Sequence, residues 1–356
     1  MDSSYLSLVK KPVRESQTYM LPQIDYAVKA NQNENPRDVP QDLKQEILSA
    51  IERHPWNRYP ALTAPEIRKK IADAHSLNYE QIAVGNGSNE IMLAIMQALL
   101  SEGRTMVTVE PTFSLYSHYA QILGARVQSL PLGENFQFPV HNLVAKAAQN
   151  EVALTIICSP NNPTGNTIAH EDLVKILKAA NGYVLVDEAY VDFTDQQFIP
   201  LVAQYQNLIL TRTFSKAFAF GLGRFGYAIG AANFIAEIYK VLLPYNLNGF
   251  SEIAAGILLE NREKLQYQID KIKNQRTFLY TELGKIDGMT VYPSEANFLL
   301  VKFENSAQSV FDAMLEEKIL LRNVSHYPGL DNHLRISVGT LHENQKILET
   351  LRRCCG

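Results

Sequence analysis

Lys216 stands at the end of Thr211-Arg212-Thr213-Phe214-Ser215-Lys216, a hydroxyl-rich run followed by apolar Ala217-Phe218-Ala219-Phe220. A lysine beside a desolvated pocket and a second cation has a lowered amine pKa, which favours Schiff-base formation with a carbonyl. Arg224, eight residues on, can supply that cation and grip a phosphate with paired hydrogen bonds. Asp187 closes the apolar run Tyr183–Val186 and opens Asp187-Glu188-Ala189-Tyr190. An acid at the end of a buried strand is costly unless it meets a cation. A protonated pyridine nitrogen is one such partner, and a lysine or arginine in an ion pair is another. In Gly85-Asn86-Gly87-Ser88-Asn89-Glu90 two glycines allow a tight turn, and Ser88 and Asn89 then open a helix. Free N–H groups at that helix start suit a phosphate, though an ordinary N-cap reads the same way. Ser159-Pro160-Asn161-Asn162-Pro163-Thr164-Gly165 is a stiff turn that either aims Asn162 or is simply structural.

The elements that must hold these groups follow from periodicity. Residues 1–46 are mixed and turn-rich, with Pro12, Pro22, Pro36 and Pro40. Asn89–Leu100 has helical spacing, with apolar residues at 91, 92, 95, 98 and 99. Met106–Val109, Ala153–Cys158, Tyr183–Val186 and Asn207–Leu210 read as buried strands. Alternating strands and helices over about 47–245 predict an α/β fold, with a parallel sheet between helices on both faces. A long helical pattern runs from Gly249 to about Leu283. Strand-like runs follow at Met289–Tyr292, Phe298–Phe303 and Leu334–Val338, which predicts a smaller α+β part that the N-terminal segment joins. The polar motifs fall just after strand-like runs, where open α/β sheets bind their ligands.

Bulk properties narrow the function classes. The chain has 356 residues, 46% hydrophobic and 20% charged, which is the profile of a globular protein with a large core. A net charge of −4 gives no basic field for nucleic acid. No apolar run approaches the length of a membrane span, and no signal segment opens the chain. Cys158 reads as a small core hydrophobe, while Cys354 and Cys355 adjoin at the C-terminus. Three cysteines without framework spacing point to a reducing compartment, and the cytoplasm is the expected location. His326 and His333 read as surface polar residues rather than metal ligands. Gly221-Leu222-Gly223-Arg224-Phe225-Gly226 matches the dinucleotide fingerprint in letters only. Tyr227-Ala228-Ile229 after it reads as a strand, and no acid follows near the required distance.

Taken in order, these motifs resemble the fold-type I pyridoxal 5'-phosphate (PLP) aminotransferases, and within them the histidinol-phosphate aminotransferase family. The likeness covers nearly the whole chain. It rests on Asn33-Glu34-Asn35-Pro36, Tyr59-Pro60, Gly85–Glu90, Pro111-Thr112-Phe113, Ser159–Gly165, Asp187–Tyr190, Ser215-Lys216, Arg224 and Leu334-Arg335-Ile336-Ser337-Val338-Gly339. The intervals from Asn162 to Asp187, Asp187 to Lys216 and Lys216 to Arg224 are 25, 29 and 8.

The resemblance implies a large PLP-binding domain over 47–250 and a small α+β domain from 1–46 and 251–356. It implies that Lys216 forms the Schiff base with PLP, that Asp187 pairs with the pyridinium N–H, and that Tyr190 and Asn162 hydrogen-bond the ring's phenolate oxygen. Phe113 would stack on the ring. Ser88, Asn89, Thr213, Ser215 and Arg224 would hold the phosphate, with Tyr59 arriving from the other subunit of a homodimer with shared active sites. Tyr19, Arg322 and Arg335 would bind substrate. The implied reaction is ping-pong transfer from histidinol phosphate to 2-oxoglutarate in histidine biosynthesis. Aromatic amino-acid transamination, decarboxylation of an amino acid phosphate and a non-enzymatic PLP-binding regulatory domain are the competing readings. The last would normally carry a DNA-binding module, and no helix-turn-helix pattern precedes the α/β region.

Overall fold

A computed structural model describes residues 4–16 and 24–355. Its strands are β1 (Val28–Lys29), β2 (Ile82–Gly85), β3 (Thr105–Glu110), β4 (Arg126–Pro131), β5 (Val152–Cys158), β6 (Tyr183–Asp187), β7 (Leu208–Thr213), β8 (Gly226–Ile229), β9 (Met289–Val291), β10 (Phe298–Phe303), β11 (Ile319–Leu320), β12 (Arg322–Asn323) and β13 (His333–Ser337). Seven of them form the large sheet, in the order β2-β8-β7-β6-β5-β3-β4. Only β8 runs against the others.

The central strands are apolar throughout because both faces are covered. Along β6, Val184 and Val186 enter one core and Leu185 the other, as the two-residue period of a strand requires. Pro65–His75, Val140–Ala147 and His170–Ala179 supply the first core, and Ser88–Leu99, Leu115–Ile122 and Ala232–Val241 the second. A smaller antiparallel sheet, β12-β13-β10-β9, packs with the end of the Arg262–Leu283 helix and with Ala307–Glu316 and Leu341–Cys355. The N-terminal segment joins this part through β1, which pairs in parallel with β11.

The structure corrects several expectations. β2 and β4 were not legible: β2 has four residues, and β4 is a half-exposed edge strand whose Arg126, Gln128 and Ser129 mask its pattern. The long helical stretch is two helices, Gly249–Glu260 and Arg262–Leu283, broken at Asn261. His333 is not at the surface but 3% exposed, its ring stacked on Tyr292 and its Nδ1 2.8 Å from the Asp331 carbonyl oxygen. The boundaries 46/47 and 250/251 both fall inside helices, Gln41–Glu52 and Gly249–Glu260. Leu43, Ala255 and Leu258 of those helices join the core of the large sheet.

Candidate active site

The carboxyl ends of β2, β5, β6 and β7 lie at one edge of the large sheet, and the reversed β8 starts there. That topology brings Gly85–Glu90, Ser159–Gly165, Asp187–Tyr190 and Thr213–Arg224 together. They line a cavity of about 400 Å³, closed from the other side by Asn31–Glu34, Arg322, Val324, Tyr327 and Arg335. Ser88, Asn89, Phe113, Asn162, Asp187, Tyr190, Thr213, Ser215, Lys216 and Arg224 all face it.

At one end stands the N-terminus of Ser88–Leu99. Its N-cap is Gly87, which has no side chain to satisfy the first-turn N–H groups. A Cβ on Gly226 would come within 2.2 Å of the Ser88 backbone nitrogen, so β8 packs directly on this turn. Arg224 donates to the Ser215 hydroxyl at 3.0 Å, and the Ser215 hydroxyl lies 3.1 Å from that of Thr213. Backbone N–H groups, two hydroxyls and a guanidinium converge at that end, a donor set for a phosphate.

Asp187 lies deep in the cavity, 6% exposed. Its carboxylate accepts from the Tyr116 hydroxyl at 2.6 Å, the Ala189 N–H at 3.2 Å and the Thr211 hydroxyl at 3.3 Å. Burial holds its carboxyl above the usual range, the Tyr116 hydrogen bond opposing. A buried acid held by neutral donors fits a cationic ring nitrogen. Glu188, the next residue, points to the other face of the sheet, where it takes the ion pair with Arg212 at 2.7 Å.

Between these ends lies Lys216, whose Nζ donates to the Gln32 carbonyl oxygen at 2.7 Å. Burial lowers its amine to about 8, with Arg335 the larger cationic contributor and Arg224 a smaller one. Arg224 thus supplies a cation as expected, but the larger contribution comes from Arg335, which β13 brings to the pocket.

Asn162 and Tyr190 each keep a hydrogen to donate. The Asn162 Oδ1 is taken by Arg335 at 2.6 Å, leaving its amide N–H₂, and the Tyr190 oxygen accepts from Asn33 at 3.0 Å, leaving its O–H. Burial keeps the Tyr190 phenol protonated. The Asn162 turn is rigid through Asn161, which bonds Thr112 and Thr164 at 2.7 Å each and the Pro111 carbonyl at 3.0 Å. Asn33 sits in the left-handed backbone region, φ 54°, where an Asn is tolerated. It is fixed by Ser337 and Asn297.

The residues present fit pyridoxal phosphate: an anion end, an amine of lowered basicity, a buried acid and two free donors. The match to known families agrees. The model for aminotransferases of class I and II matches residues 27–351. A histidinol-phosphate aminotransferase of Caldanaerobacter subterraneus subsp. tengcongensis is 36% identical over 346 residues, 97% of this chain and 98% of that one. The chain belongs to the class I and II aminotransferases, in the histidinol-phosphate aminotransferase family.

A second relative of that name, from Chlorobium phaeovibrioides, is 38% identical over 326 residues, 91% of this chain and 90% of its own. The crystal structure of histidinol-phosphate aminotransferase from Clostridium acetobutylicum superposes with a TM-score of 0.85 at 28% identity, covering 92% of this chain and 98% of that one. This aminotransferase is therefore a fold-type I, PLP-dependent enzyme.

Two expected site residues are not among those seen to line the cavity, for different reasons. Tyr19 lies outside the described residues. Tyr59 is described but does not line the cavity: it is 81% exposed and stacked on Tyr245 at 4.7 Å. The sequence reading missed Tyr116, Asn31, Gln32 and Tyr327, and it took Cys158 for core alone, whereas this core residue also lines the cavity. Spacing offered a signal for Tyr116, three residues after Phe113 and so one helical turn away. Asn33 belonged to a matched motif but carried no role until its bond to Tyr190 was visible.

Proposed function

We propose that this aminotransferase moves the amino group of histidinol phosphate to 2-oxoglutarate, in two half-reactions at one site. The observation that carries the substrate is the pair Arg322 and Arg335. They are direct cross-strand partners on β12 and β13, and both line the cavity. Like charges directly opposite one another weaken a sheet, and an anion shared between them removes that cost. Histidinol phosphate brings a phosphate and 2-oxoglutarate brings carboxylates, so one pair of arginines serves both in turn. The relatives of that name, 36% and 38% identical, support the same substrate.

Bound in this cavity, PLP supplies an aldehyde for the substrate amine and a pyridinium ring that accepts the electron pair released at Cα. Ser88, Asn89, Thr213, Ser215 and Arg224 would hold its phosphate, and Phe113 would stack on its ring. Asp187 would keep the ring nitrogen protonated, while Asn162 and Tyr190 would donate to the ring oxygen. Lys216 Nζ, its amine lowered to about 8, would carry the proton between substrate Cα and the cofactor's C4′ carbon, in opposite directions in the two half-reactions. Arg322 and Arg335, with Tyr19, orient the substrate's anionic end.

The same reading includes a homodimer in which each Tyr59 reaches the phosphate of the other subunit. Trp56, Tyr59, Leu243 and Phe250 support it, exposed at 70%, 81%, 75% and 49% on this single chain. It also includes a large cofactor-binding unit and a small unit from the chain's two ends, with the boundaries moved from 46/47 and 250/251 to before Gln41 and after Glu260, since both helices pack in the large sheet's core. The partners are small molecules, with no nucleic acid or membrane, and the location is the cytoplasm. No helix among the described residues is long and apolar enough to cross a membrane.

The test is to titrate PLP-loaded protein with histidinol phosphate, then phenylalanine, following the visible spectrum. Full conversion by phenylalanine but none by histidinol phosphate sinks the substrate. Carbon dioxide released from an amino acid phosphate sinks transamination. A Lys216→Ala protein with normal turnover sinks the site.

A further inference from the structure

We propose that Tyr116 is a positioning residue that holds Asp187 as an aimed, ionised carboxylate for the cofactor's ring nitrogen. The inference rests on reading Asp187 as that nitrogen's partner.

Tyr116 is fully buried, and a buried phenol hydroxyl must find a partner. It donates to Asp187 Oδ2 at 2.6 Å, within the range of a charge-assisted O–H···O⁻ bond. The other two donors, the Ala189 N–H and the Thr211 hydroxyl, reach Oδ1 at 3.2 and 3.3 Å. Tyr116 is thus the shortest contact on the acid and, among the described residues, the one hydrogen bond to Oδ2. Burial and the neighbouring acid push the phenol well above its ordinary range, so the proton stays on Tyr116.

The geometry of the helix start adds a second link. Tyr116 lies in the first turn of Leu115–Ile122, its N–H bonded to the Phe113 carbonyl at 3.2 Å. The two rings meet edge to face, 5.5 Å apart at 83°. One turn therefore carries both the ring that covers the cofactor and the hydroxyl that holds the acid.

The choice of tyrosine has a physical reason. A lysine or arginine here would pair with Asp187 and compete with the cationic ring nitrogen. A neutral donor orients the carboxylate without neutralising it. The other titratable groups around Asp187 are Cys158 on β5, Tyr190 beyond β6 and Glu188 beside it. Cys158 and Tyr190 are held protonated by burial, and Glu188 is committed to Arg212. None of them replaces Tyr116 as a donor to Oδ2.

The test is PLP affinity between pH 5 and 9, read by absorbance, for wild type, Tyr116→Phe, Asp187→Asn and the double variant. Loss of a hydrogen bond to a charged group is expected to weaken cofactor binding about tenfold or more near neutral pH. Without that bond the Asp187 carboxyl rises further, so loss of cofactor on acidification should begin about one pH unit higher. In the Asp187→Asn background, Tyr116→Phe should have little further effect. A Tyr116→Phe loss that is equal at every pH, or that adds in full to Asp187→Asn, overturns the proposal, because lost packing behaves that way. Unchanged affinity at every pH also overturns it. Should the phenylalanine protein not fold, 3,5-difluorotyrosine at position 116 keeps the hydroxyl and makes it a stronger donor. The acid limb should then move down, and an unmoved limb overturns the proposal. Asp187→Asn binding as well as wild type would instead defeat the reading of Asp187 itself.

Discussion

Lys216 and Asp187 are each held in an unfavourable state that the cofactor relieves. The Lys216 amine lies at about 8 because burial and the Arg335 and Arg224 guanidinium groups disfavour its charge. Arg335→Gln should raise it by roughly half a unit or more, and Arg224→Gln by less. The pH dependence of trinitrophenylation of Lys216 in apoprotein reads this, and equal shifts from both variants would contradict the ranking. For Asp187 the sign runs the other way. Its carboxyl is raised in the folded protein, so this acid favours the fold below the ordinary carboxylate range. That contribution is lost as pH rises through the raised value. Apoprotein carrying Asp187→Asn should therefore be more stable than wild type near pH 8, by about 1 kcal/mol, while binding PLP far more weakly. Thermal unfolding of both apoproteins at pH 8 checks it, and a less stable Asn variant would refute it.

At the scale of elements, the proposed phosphate end of the cavity depends on how closely β8 lies against the Gly87–Ser88 turn. Gly226 permits that approach, since a Cβ there would meet backbone rather than a movable side chain. Gly226→Ala should cost about 1–3 kcal/mol of stability through overpacking and weaken PLP binding as the helix start moves. Thermal unfolding and cofactor titration measure the two effects, and a variant unchanged in both would show that the turn is not fixed by this contact. His75, at the end of Pro65–His75, illustrates a competition between elements. A histidine at a helix C-terminus is ordinarily favoured as a cation. Here burial, with Arg212 and Arg262, lowers it to about 4. Its neutral form supports the fold, so that support is present above about 6.5 and is lost as pH falls towards 4. His75→Asn should flatten the acid limb of the stability profile over that window, seen in urea unfolding at several pH values. An unchanged slope would place the acid sensitivity elsewhere.

The whole molecule is where the two chain ends and the proposed second subunit enter. Trp56→Asp puts a charge into the exposed aromatic patch beside Phe250 and should convert the proposed dimer to monomers. Tyr59→Phe should leave assembly intact and weaken PLP binding several-fold, by removing one hydroxyl from the partner's phosphate. Sedimentation velocity and cofactor titration separate the outcomes. A monomeric wild type, or a Tyr59→Phe protein with unaltered affinity, would remove the shared-site reading.

The sequence by itself determined the local and ordered features. Strand cores such as Leu154–Cys158 and Val184–Val186 were legible because strands buried on both faces must be apolar. The Lys216, Asp187, Asn162 and Arg224 set was legible because each motif follows the end of such a strand or opens the one run against it. Tertiary structure alone decided the long-range matters. It placed Arg335 over Lys216, set Arg322 opposite Arg335, joined β1 to β11 and put the Tyr116 hydroxyl on Asp187. Those contacts link residues 13 to 291 positions apart, from Arg322 with Arg335 to Val28 with Ile319. No local periodicity encodes such pairings, because they are fixed by how whole elements pack. A half-exposed edge strand like β4 was lost for a related reason, since only its neighbour's backbone makes it a strand.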